Sequence, residues 1–247
     1  MSRWLRRLAP SEDAATRLIC FAHAGGSANF YLSLARELGP GIEVLAVQNP
    51  GRAERYAEPR LESIAELADG ALAEVFAAMD RPTALFGHSL GAVQAFEVAR
   101  RLERDDVPVT TLFVSSRRAP STVRADAVHR RSDAGLLAEL RALRGTDPRL
   151  LADPEVARML LAVIRSDYTA VETYRCEPGA RVRCPIIGFV GDRDPRVTLS
   201  DVRVWRDHTT GEFDARVFAG DHFYLADRVG DVARAVREQL DGVLDRS

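Results

Sequence analysis

Short apolar runs alternate with amphipathic stretches along most of this 247-residue chain, and that alternation is what most restricts its fold. Arg17–Phe21, Ile42–Val47, Pro82–Phe86, Val109–Val114, Pro185–Val190 and Ala215–Phe218 read as strands. Each is short, bounded by Gly, Pro or Asp, and largely apolar, as expected of strands covered on both faces. Amphipathic helices are predicted over Ile64–Met79, Leu90–Arg104 and Val229–Leu244. Strands and helices in this order give an α/β fold: a mostly parallel sheet, right-handed crossovers and helices on both faces. The length accommodates either one large domain or two small ones, and no linker or repeat divides the chain.

Composition then excludes several function classes. No apolar run approaches the ~20 residues that span a bilayer, and a formal net charge of −2 argues against a nucleic-acid binder. All 34 basic residues are arginine. Without lysine, no Schiff-base or general-base lysine chemistry is available. Cys20, Cys176 and Cys184 have neither metal nor redox spacing and read as free thiols of a reducing, cytoplasmic environment. The positively charged start, Met1 to Arg7, has no apolar segment behind it and does not resemble a secretory signal.

One region breaks the alternation. From Arg117 to Tyr174 no strand is evident, but Leu136, Leu137, Leu140 and Leu143 share one helical face, and so do Val156, Leu160, Val163 and Ile164. That is more helix than one crossover needs. Either it is a long crossover packed on the sheet, or it is a lid over a site at the strand ends; the adjoining motif favours the lid.

That motif is Gly87-His-Ser-Leu-Gly91, placed where a strand ends and a helix begins. Glycines on both sides of a tight strand-to-helix turn present the intervening serine at the helix N-terminus, where backbone amides can hold an oxyanion. Ser89 is therefore the candidate nucleophile. Its base should follow the last strand, which points to His222 in Gly220-Asp-His-Phe-Tyr224. The orienting acid should come from the loop after Val190, where Asp192 and Asp194 compete. Asp192 follows the turn glycine, where capping the turn is role enough; Asp194, further out, is favoured. The glycine-rich loop after the first core strand, Phe21 to Ser27, would supply a second oxyanion amide. Ala24 and Leu90 are the expected N–H donors, and His23 is expected to order the loop.

Phe21-Ala-His-Ala-Gly-Gly-Ser-Ala-Asn-Phe-Tyr31, Val47-Gln-Asn-Pro-Gly-Arg52 and Gly87-His-Ser-Leu-Gly-Ala92 resemble the type II thioesterases of polyketide and nonribosomal peptide assembly lines. Ser115-Ser-Arg-Arg-Ala-Pro120, Ser166-Asp-Tyr168, Gly191-Asp-Arg-Asp-Pro195 and Gly220-Asp-His-Phe-Tyr224 continue the resemblance in the same order. It implies one α/β-hydrolase domain over residues 1–247, not two domains, with a helical lid at about 117–174, between the sixth and seventh strands of the family pattern. It also implies hydrolysis of acyl groups from the phosphopantetheine arm of carrier proteins, with Ser89, Asp194 and His222 as nucleophile, acid and base. Ala24 and Leu90 match the family's oxyanion positions. Departures are small: Ala22 stands where Pro is usual, Asp221 where Gly is common and Leu90 where Met is frequent. No metal or organic cofactor is expected. The partner implied is an acyl or peptidyl carrier protein, with no nucleic acid, no membrane and a monomeric enzyme. Arg52, Arg55, Arg117 and Arg118 are candidates for docking an acidic carrier or its phosphate. Rival readings are a carboxylesterase or acyltransferase on the same fold, or a non-catalytic binder.

Overall fold

The computed structural model describes residues 3–11, 13–124, 126–143 and 153–244. In chain order its elements are β1 Leu5–Ala9, β2 Thr16–Phe21, α1 Leu32–Leu38, β3 Ile42–Val47, α2 Ile64–Ala77, β4 Thr83–His88, α3 Leu90–Arg104, β5 Leu112–Ser115, α4 Asp133–Leu143, α5 Pro154–Thr173, β6 Ile186–Gly191, α6 Leu199–Arg203, β7 Phe213–Phe218, α7 Tyr224–Asp227 and α8 Val229–Leu244. They build a seven-stranded sheet of order β1-β3-β2-β4-β5-β6-β7. β1 is antiparallel to β3, and every other pairing is parallel.

β2 to β6 are buried along their whole lengths, which is why each reads as an apolar run. Alternate residues serve opposite layers. Ile19 and Phe21 face a core built with α2, α3 and α6, whereas Leu18 and Cys20 face a core built with α1 and α8. The strand missed in the sequence, β1, carries Arg6 and Arg7 on an edge and lacks the two-sided burial that marks β2 to β6. α1 was also unread. Its seven residues span only two turns, too few for a clear helical period.

The region from Arg117 to Tyr174 holds α4 and α5 and, among its described residues, no strand; residues 125 and 144–152 of it lie outside the described residues. It lies between β5 and β6, so one strand fewer precedes it than in the family pattern. Leu136, Leu140, Leu161 and Ile164 form a small apolar cluster of their own with Val128. Further along α5, Ala170 and Val171 pack against Leu90 and Val93 of α3. The same helix thus joins the inserted cluster to the start of α3.

Candidate active site

The turn from β4 into α3 is set by backbone crowding. A Cβ on Gly91 would lie 2.0 Å from the carbonyl oxygen of Phe21, and one on Gly87 would lie 2.2 Å from that of Gly91. Neither contact can be relieved by turning a side chain, so both positions require glycine. Ser89, between them, has φ 54° and ψ −117°, a strained backbone for a residue with a Cβ. Its amide donates to the Ser115 carbonyl at 2.8 Å, tying the turn to the end of β5.

The loops after β6 and β7 bring two further predicted residues together. Nδ1 of His222 donates to Asp194 at 2.9 Å (Oδ2) and 3.1 Å (Oδ1). The Asp194 side chain is completely buried, and its Oδ1 also accepts the amides of Arg196 (2.8 Å) and Val197 (3.2 Å). A carboxylate with this many donors is held in place. Asp192 has the lesser role: its side chain accepts the Gly220 amide at 2.8 Å and braces the two loops. Asp221 turns away from the His222 ring and accepts the Phe223 amide at 3.0 Å. The carbonyl of His222 is held by Ser116 Oγ at 3.1 Å.

Ser89 and His222 line the same two cavities. One, of about 50 Å³, is also bounded by Arg117, Arg118, Tyr168 and Glu172. The other, of about 30 Å³, is bounded by His23, Ala24, Leu140, Leu143, Tyr168 and Phe223. These volumes hold at most a few water molecules. Beneath the site, His88 and Tyr224 both bond Ser115 Oγ, at 2.9 and 2.6 Å. Burial, reinforced by the neighbouring His222 and His23, drives the His88 pKa well below the usual imidazole range. His23 stands edge-on to Phe30 and Phe223, and burial, then His222 and Arg52, lower its pKa to about 3. Both rings are neutral near pH 7 and serve as packing.

On the Ala24 side, the Gly26 amide donates to the His23 carbonyl at 2.9 Å and the Gly25 amide to Asp167 at 2.7 Å. The Ala24 amide has no acceptor among the described residues. Leu90, the first residue of α3, has its amide at the helix N-terminus, where no intrahelical acceptor exists. Two amides therefore remain available beside Ser89.

The arginines fall differently from expectation. Arg52 is buried, and its two terminal nitrogens each meet an oxygen of Asp167 at 2.8 Å, so it offers nothing to an external partner. Arg55 is buried too, paired with Glu58 and stacked on Trp4. Arg118 pairs with Asp126 at 2.6 Å. Arg117 has no ion-pair partner among the described residues, and its Nε is buried without an acceptor. Burial, then the nearby Arg118, lower its pKa to about 10, which leaves it cationic at neutral pH. Asp167, noted in the sequence only within the Ser166-Asp-Tyr168 run, was given no role there. The signal was present: a lone acid in the buried stripe of α5 that runs through Val163, Ile164 and Val171. No group of three metal-ligating side chains occurs among the described residues.

The model of the thioesterase domain family matches residues 16–240. Thioesterase PikA5 of Streptomyces venezuelae is 46% identical over 239 residues, covering 96% of this chain and 85% of that protein. A protein of Streptomyces griseus named a probable cadicidin biosynthesis thioesterase is 45% identical over 239 residues; the match covers 97% of this chain but only 66% of that protein's length. Among solved structures, the type II thioesterase BorB from the borrelidin biosynthetic cluster superposes with a TM-score of 0.89 at 47% identity, covering 96% of this chain and 97% of that one.

Proposed function

This chain belongs to the thioesterase domain family and has its α/β-hydrolase fold, and from that premise we propose that it releases acyl groups from the phosphopantetheine thioester of a carrier protein in polyketide or nonribosomal peptide biosynthesis. Family and relatives alike support thioester hydrolysis in a biosynthetic setting. The observation that carries the finer reading is the buried Asp194–His222 pair opening onto the same cavities as Ser89.

In the proposed cycle, His222 takes the Ser89 proton as the hydroxyl attacks the thioester carbonyl. The Ala24 and Leu90 amides stabilise the tetrahedral oxyanion, and the pantetheine thiol leaves with a proton from His222. Water, deprotonated by the same ring, then cleaves the acyl-serine. Asp194 holds Nδ1 protonated, so that Nε2 is the basic nitrogen, and stabilises the imidazolium. Cavities of about 50 and 30 Å³ cannot admit an acyl-pantetheine, so α4 and α5 act as a lid that must move for substrate to enter. Of the arginines considered for carrier docking, Arg117 keeps that role best, because its charge is unpaired and lies on the Ser89 cavity.

The test is to load carrier proteins with short and long acyl groups and follow release by intact mass, with wild type and Ser89→Ala. Release by wild type, abolished in the variant, is the expected result; turnover retained by Ser89→Ala would overturn the scheme. Faster cleavage of oxygen esters than of acyl-carriers would favour a carboxylesterase, and acyl transfer to an added alcohol or amine would favour an acyltransferase.

A further inference from the structure

We propose that Arg52 and Asp167 are positioning residues for the oxyanion hole, a role that rests on the acyl-transfer reading above. The loop after β2 presents three successive amides, at Ala24, Gly25 and Gly26. Two are spent. The Gly26 amide closes a turn onto the His23 carbonyl at 2.9 Å, and the Gly25 amide donates to Asp167 Oδ2 at 2.7 Å. Only the Ala24 amide is left for a substrate. The peptide planes on both sides of Ala24 are thus fixed: the one bearing its N–H through the His23 carbonyl, the one bearing its C=O through the Gly25 N–H. Gly25 has φ +78°, a conformation from which an unheld peptide plane can rotate at little steric cost. Asp167 prevents that rotation.

Arg52 fixes Asp167 in turn. Both carboxylate oxygens take a guanidinium nitrogen at 2.8 Å, and Nη1 also points to the Gly26 carbonyl at 3.4 Å. The carboxylate is completely buried and the guanidinium nearly so. A buried ion pair of this kind is a poor source of stability, since apolar residues of similar volume often do as well. Its worth here is directional: one charged fork reaches two consecutive residues of the loop that carries the Ala24 amide. Asp167 comes from α5, beside Ser166, whose Oγ donates to the Leu61 carbonyl at 3.1 Å. The oxyanion donor is therefore oriented by the helix that also walls the Ser89 cavity with Tyr168.

The experiment compares wild type with Asp167→Asn and Arg52→Lys on an acyl-N-acetylcysteamine thioester. It also measures binding of a trifluoromethyl ketone of the same acyl chain, which forms a tetrahedral adduct, and of the matching unreactive thioether. Removing one oxyanion donor costs about 10²–10³ in kcat, so a misaimed one in Asp167→Asn should cost about 10- to 100-fold. KM should stay within about twofold, the ketone should weaken by the same factor as kcat, and the thioether should bind as before. Arg52→Lys keeps the charge but loses the fork, and should show a smaller loss of the same pattern. If Asp167→Asn does not fold, Arg52→Lys alone decides. Wild-type kcat in the folded variants, or equal weakening of ketone and thioether, would overturn the role. Failure of the underlying function would show separately, as absence of thioester turnover and ketone adduct in the wild type.

Discussion

Two regions meet at Ser89, and they are held together by different physics. The frame formed by the ends of β4, β5, β6 and β7 is fixed by backbone contact. Gly87 and Gly91 are pressed against main-chain oxygens, Gly191 would place a Cβ 2.3 Å from the Asp221 carbonyl, and Asp194 is pinned by amides. The inserted helices add to their apolar contacts a set of charged ones: Asp167 to Arg52, Glu139 to Arg131 and Arg196, Arg165 to Asp133, and Glu172 to the turn around His129. Main-chain packing tolerates salt and pH but no added atoms. Ion pairs tolerate small changes of shape but respond to charge. Ser89, Asp194 and His222 thus sit on the rigid frame, whereas the cavity wall, with the Asp167 that holds the Gly25 amide, comes from the insertion.

The largest expected effects test the frame. Asp194→Asn keeps its shape but donates where the carboxylate accepted, which inverts the His222 tautomer. By analogy with other serine triads, kcat should fall on the order of 10⁴-fold with little change in melting temperature. A loss below about tenfold would remove Asp194 from the mechanism. Gly91→Ala would drive its Cβ into the Phe21 carbonyl, so α3 must shift away from β2. The cost should reach about 4 kcal/mol or more, measured by chemical denaturation, with activity lost alongside. A Gly91→Ala enzyme as stable as wild type would show that the turn is not limited by backbone crowding.

The frame has one electrostatic weakness. His23 is held neutral with a folded-state pKa of about 3 against 6.5 for the free group, lowered by burial, then His222 and Arg52. The unfolded chain therefore binds more protons in this range, and stability rises with pH. The contribution is complete above about pH 6.5 and is lost as pH falls towards about 3, a few kcal/mol in all. His88 acts in the same direction. His23→Phe, which keeps a ring between Phe30 and Phe223, should flatten the fall of melting temperature between pH 6.5 and 4 without abolishing it. An unchanged acid limb would place the acid-sensitive groups elsewhere, in the charged insertion.

The same division explains what was legible in the sequence. Strands buried on both faces write themselves as apolar runs, and backbone crowding writes itself as glycine, so β2 to β6 and the Gly87–Gly91 turn were readable. The pairing of His222 with Asp194 was readable as well, because chain order and strand ends limit which loops can meet. β1 was not readable, because one edge strand with two arginines has no distinctive pattern. The surroundings of Arg52, Arg117 and Arg118 were not readable either. An arginine looks the same in sequence whether it faces solvent, a buried carboxylate or a cavity, and only three-dimensional proximity separates Arg52 from Arg117. Asp167 shows the limit from the other side: a charge in an apolar stripe announces a partner without naming it.

The smallest predicted effect probes the insertion. Glu172 accepts the amides of Val128 (3.1 Å) and His129 (3.0 Å) as well as Nδ1 of His129, so one carboxylate holds the turn that leads into α4. Glu172→Gln exchanges one acceptor oxygen for an amide that faces donors, with a local cost of about 1–3 kcal/mol. These bonds fasten the insertion to itself rather than to the sheet. Amide exchange over residues 128–143 should therefore accelerate while the strands keep their protection. The melting temperature should move by no more than about 2–4 °C. Turnover of a small thioester should hold or rise, since loosening the wall eases entry to cavities that are otherwise too small. If exchange instead quickens equally in β4 and β6, the frame and the insertion unfold as one unit, and the division between rigid catalytic ends and an adjustable cover fails.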